Sequence, residues 1–76
     1  MKLEEALWQD AGRVSGAVCF RGTRIPVAIL FDCLSGEALA EFFENYPGAT
    51  EEQVATVIEC ASKLIEAQFP GATPWR

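Results

Sequence analysis

Ser15-Gly16-Ala17-Val18-Cys19-Phe20-Arg21-Gly22-Thr23-Arg24-Ile25-Pro26-Val27 is the stretch on which the fold turns. Val18-Cys19-Phe20 reads as a short strand. Arg21-Gly22-Thr23-Arg24 reads as a turn, because glycine takes positive φ without steric cost. Ile25-Pro26-Val27 then returns. Pro26 lacks an N–H, so it suits an edge strand or the first turn of a helix rather than a central strand. The expectation is a small hairpin or extended arm that runs directly into a helix.

Downstream the period changes from two to 3.6. Val27, Leu30, Phe31 and Leu34 fall at i, i+3, i+4 and i+7, which predicts a helix over 27–34 with that row as its buried stripe. Ile29 and Cys33 add a second apolar edge, and Asp32 is the helix's one charge, so it has to be covered on more than one side. Ser35-Gly36 is a break. Leu39, Phe42, Phe43 and Tyr46 repeat the spacing in a second helix, 37–45, with Glu37, Glu41 and Glu44 on its wet face and Pro47-Gly48 ending it. Thr50-Glu51-Glu52-Gln53 matches a capping box, and its acids complement the positive end of the helix dipole. Val54, Val57, Ile58, Ala61, Leu64 and Ile65 carry the third helix to about Gln68.

Upstream, residues 1–9 allow a short, fraying helical turn with Leu3 and Leu7 on one face. The organisation expected is an N-terminal segment over 1–12, a domain over 13–68 and a breaker-rich tail over 69–76. The fold class read from these patterns is all-α, three principal helices preceded by a short β arm or hairpin.

Composition narrows the function. The chain has 76 residues, half of them hydrophobic, with a formal net charge of −5. So small a domain cannot hide that much apolar surface, which points to a contact face and a homodimer as its simplest cover. The acidity argues against non-specific nucleic-acid binding and anionic membrane surfaces. No apolar run reaches the roughly 20 residues of a membrane span, and the acidic N-terminus lacks a signal-peptide core, so no membrane role and a cytoplasmic location are expected.

Cys19, Cys33 and Cys60 are odd in number, none in CxxC spacing, and there is no histidine. They read as small reduced hydrophobes, with no metal and no cofactor expected. With no histidine base and no nucleophile beside a recognisable base, the chain is not expected to be an enzyme.

The Ser15–Val27 run resembles the signature of the domain-of-unknown-function 433 family, whose usual form is close to SGxPVFxGTRIPV. Leu30-Phe31 and Leu34 match its first helix, Glu41-Phe42-Phe43 and Tyr46-Pro47 its "EFLxxFP", and Thr50–Val54 the start of its last helix. The likeness covers roughly residues 13–66. Val18 stands where the family usually has proline, and the Ser35-Gly36-Glu37 loop is one residue shorter. The resemblance implies a homeodomain-like helix-turn-helix bundle. It also implies a role like the antitoxin half of a bacterial toxin–antitoxin pair, VapB-type, whose partner is a PIN-like ribonuclease. It assigns no role to individual residues.

Two partner chemistries follow. PIN-type nucleases cluster carboxylates around a metal, and an arginine fork donates bidentate, charge-assisted bonds to such a cluster. That makes Arg21, Arg24 and Thr23 the candidate partner-binding residues. Arg24 is the one expected to pair internally, Thr23 the one to hold the turn through backbone bonds, and Arg21 the freer. Duplex DNA is the alternative, since the second and third helices, joined by Pro47-Gly48-Ala49, have helix-turn-helix order. Yet the last helix opens on acids, with Gln53 its one candidate base reader. Arg13, Arg21 and Arg24, doubled in a dimer, make the best case for DNA. Val18, Phe20, Ile25, Ile29 and Cys33 form a candidate dimer seam, with packing on the domain's own core as the competing use.

Overall fold

A computed structural model of the chain describes residues 1–9, 12, 16–36 and 38–71. The chain runs α1 (Leu3–Ala6), β1 (Leu7–Gln9), β2 (Val18–Phe20), α2 (Val27–Leu34), α3 (Leu39–Asn45) and α4 (Glu51–Ala67). The three principal helices stand where the periodicity places them. Thr50 caps α4 and Gln68 closes it, while α3 begins at Leu39, two residues inside the expected start, with Ala38 as its N-cap. Glu37 and the tail beyond Gly71, with Trp75, lie outside the described residues.

The all-α, homeodomain-like three-helix bundle is not what forms. Among the described residues the fold is mixed α/β, four helices and a two-stranded antiparallel sheet. The difference lies in residues 1–9. Leu7–Gln9 is a strand that pairs with β2 in the register Leu7↔Phe20, Trp8↔Cys19, Gln9↔Val18. The i,i+4 spacing of Leu3 and Leu7 mimics a helical face, but an edge of β2 about a dozen residues away sets the outcome. Two adjacent strands exchange backbone bonds that a frayed turn would leave to water.

The expected return of the arm is present only as a stub. Phe20 N–H donates to the Ile25 carbonyl at 3.0 Å, and Cys19 bridges to Pro26. Pro26 has no N–H to continue a ladder, and the chain enters α2 at Val27. So β2 is flanked by β1 on one edge and this single bridge on the other.

The core gathers where β2, α2, α3 and the first half of α4 meet. Phe20, Leu30, Phe42, Ala49, Val54 and Val57 are buried together. Phe42 is its hub: its ring centroid lies 6.0 Å from Phe20, 5.6 Å from Phe43 and 5.3 Å from Tyr46. These tilted and edge-on pairs add about 1 kcal/mol each to the burial itself. Among the stripe residues of α2 only Leu30 is fully covered, whereas Phe31 and Leu34 stay exposed. No helix among the described residues is long and apolar enough to cross a membrane.

Candidate functional site

The Arg21–Arg24 turn is locked from within. Gly22 sits at φ +83°, a conformation that disfavours any Cβ. The Thr23 hydroxyl donates to the Phe20 carbonyl at 2.8 Å and accepts from Ile25 N–H at 3.0 Å. From the neighbouring strand, the Trp8 indole N–H donates to the Thr23 carbonyl at 2.9 Å. On the other side, the Gly48 backbone passes so close that a Cβ there would lie 3.2 Å from the Thr23 methyl. Thr23 is therefore a structural residue of the turn.

The two arginines exchange the roles expected of them. Arg21 folds back over the N-terminal segment: its Nη2 donates to the Glu4 carbonyl at 2.7 Å and the Leu7 carbonyl at 3.2 Å, and Nε to Glu4 at 3.2 Å. Its guanidinium carbon also stands 5.9 Å from the Trp8 ring centroid. These carbonyls belong to α1 and β1, elements that the sequence leaves as a frayed turn. Arg24 is exposed and makes no hydrogen bond or ion pair among the described residues. Of the expected fork, one prong projects. Arg13, the third member of the basic arm, lies outside the described residues.

The candidate seam is largely spent on the protein's own interior. Phe20 is fully buried. Ile25, Ile29 and Cys33 are half-buried against the same core, and Val18 is at the exposed edge. The three cysteines form no disulfide.

The start of α4 is closed to base reading. Thr50 N–H donates to Gln53 Oε1 at 3.0 Å, and Gln53 N–H donates to Thr50 Oγ1 at 3.1 Å. The remaining Gln53 donor, Nε2, bonds the Arg21 carbonyl at 3.0 Å. Both ends of the amide are thus engaged and the residue is buried, which ties the α4 cap to the arginine turn. Glu51 and Glu52 face water beside it.

What the sequence does not show is how the apolar surface is distributed around α4. Leu64, Ile65 and Phe69 are 64%, 63% and 65% exposed. One groove, about 180 Å³, lies between the N-terminal segment, α2 and α4, where Leu3, Phe31 and Leu64 stand exposed. A larger one, about 530 Å³, lies between α3 and α4. The signal was present in the unbroken apolar row of α4, but nothing local says where its cover ends.

A family model described as "Protein of unknown function (DUF433)" matches residues 9–61. No curated protein and no solved structure matches at a significant level.

Proposed function

The chain belongs to the DUF433 family, and from that footing we propose that it is an antitoxin-like binding protein that neutralises a PIN-like ribonuclease by protein–protein contact. The observation that carries the reading is Arg24, an exposed guanidinium with no partner among the described residues, held on a turn fixed by Thr23, Trp8 and Gly48. A rigid mount spares the entropy of ordering the loop on binding. A planar fork suits the carboxylate cluster with which such a nuclease holds its metal. In this reading Arg24 enters that cluster and blocks substrate or metal, while Arg21 braces the turn. The uncovered apolar surface of α4 supports a protein partner in general.

The DNA-binding alternative gains nothing from the geometry. The N-terminal turn of α4 presents carboxylates, and its glutamine is already bonded on both sides.

The test is co-purification with the product of the neighbouring reading frame, followed by a ribonuclease assay. Wild-type chain should suppress cleavage, and Arg24→Ala should weaken suppression at least tenfold, as loss of a buried charge-assisted pair does. Equal suppression by Arg24→Ala and wild type would sink the mechanism. The proposal also holds the chain to be a homodimer, with Val18 at its edge. A single-subunit mass at micromolar concentration would remove that part.

A further inference from the structure

The α3–α4 groove has a floor and a rim of opposite character. Leu39 and Phe43 form one wall, and Val54, Ala55 and Ile58 the other. Phe43 is half-buried and Ile58 37% exposed, so the floor is greasy and open. Glu51 and Glu59 line the same groove. Both are exposed, and the salt bridge from Glu59 to Lys63 at 3.1 Å joins two exposed side chains, an interaction weak enough to be exchanged.

Helix geometry carries this pattern past the end of α3. Ala55, Ile58, Ser62 and Ile65 follow 3-4-3 spacing, the seam one helix offers another, and the small Ala55 and Ser62 allow close approach. Beside that seam Glu59 and Glu66 repeat at seven residues, about 10 Å apart along the axis. In a helix pair this is the flanking position whose charges choose the partner. Across α4 four glutamates face a single lysine.

We propose that this groove, continued along the second half of α4, seats a basic amphipathic helix of another protein. The occupant's apolar stripe lies on Phe43, Ile58 and Ile65, and its lysines or arginines, spaced by heptads, meet Glu59 and Glu66. A second copy of α4 fits poorly. Antiparallel pairing sets carboxylate against carboxylate, and parallel pairing leaves the acids opposite Val54 and Ala61 without a cation. The inference goes beyond the nuclease reading and does not depend on it, since Arg24 is on a different element.

The probe is a synthetic helical peptide of about 20 residues with leucine along one face and lysine at flanking heptad positions. Binding is followed by anisotropy and by amide chemical-shift mapping at near-physiological salt. The ordered peptide should bind saturably and shift residues of α3 and of the second half of α4. Ile65→Ser and Glu59→Lys, both at exposed positions, should each weaken it about fivefold or more, whereas Arg24→Ala should leave it unchanged. A shuffled peptide of the same composition that binds equally well would overturn the proposal by reducing it to bulk charge attraction. So would shifts confined to other faces, or an Ile65→Ser change that converts a dimer to a monomer, which would mark the face as a self-contact. Loss of nuclease suppression in Arg24→Ala with intact peptide binding separates the two readings.

Discussion

The first and second halves of α4 are one helix built to two purposes. In the first half Thr50 and Gln53 cap each other, Gln53 reaches across to the Arg21 carbonyl, and Val54 and Val57 are buried under Phe42 and Leu30. In the second half the same apolar row continues, but Leu64 and Ile65, and Phe69 just past the helix end, are exposed. The sequence periodicity is the same in both. What differs is the length of the neighbours: α1 has four residues, α3 seven and α2 eight, against seventeen in α4. A short helix covers only the part of a long one that it lies beside, so amphipathicity marks a face that wants cover without saying who supplies it.

Substitutions along this divide should differ in size. Phe42→Ala removes the hub of the packed region and should cost about 3–5 kcal/mol, enough to unfold much of so small a domain. Urea unfolding measures it, and a loss below about 1 kcal/mol would mean that the core is centred elsewhere. Gln53→Ala should cost about 1–2 kcal/mol, because it removes the side-chain half of the capping box, freeing Thr50 N–H, and leaves the Arg21 carbonyl without its partner. Faster amide exchange at both Thr50 and the Arg21 turn would show that the two are tied through this side chain. Gly22→Ala should cost about 1 kcal/mol from the positive φ alone, as nothing lies within 4 Å of the added methyl. Thermal unfolding would read this as a modest drop in Tm with the fold retained. At the small end, Ile65→Ser should change stability by no more than about 0.5 kcal/mol. A large loss there would erase the contrast between the two halves of α4.

A second contrast runs through the arginine turn. Its chemistry is legible in Arg21-Gly22-Thr23-Arg24, since Gly22 supplies the φ and Thr23 the local hydroxyl bonds. Which guanidinium is spent is not legible. Arg21 is held by carbonyls of Glu4 and Leu7, 17 and 14 residues away, and only the folded chain brings those carbonyls beside the turn. Phe20 illustrates the same limit. Its alternation in a short strand is compatible with an outward seam or an inward core, and its register opposite Leu7 turns it inward.

The three principal helices, the cap of α4 and the arginine turn can be read from local spacing. Each is set by interactions within about four residues, where local spacing and backbone chemistry suffice. Long-range packing sets the strand at residues 7–9, the mixed rather than all-α fold, the exposure of Arg24 while Arg21 is engaged, and the point along α4 where the protein's own cover stops. Those outcomes depend on which distant backbone edges and apolar faces meet, and side-chain periodicity repeats identically whether a face finds its partner inside the chain or outside it.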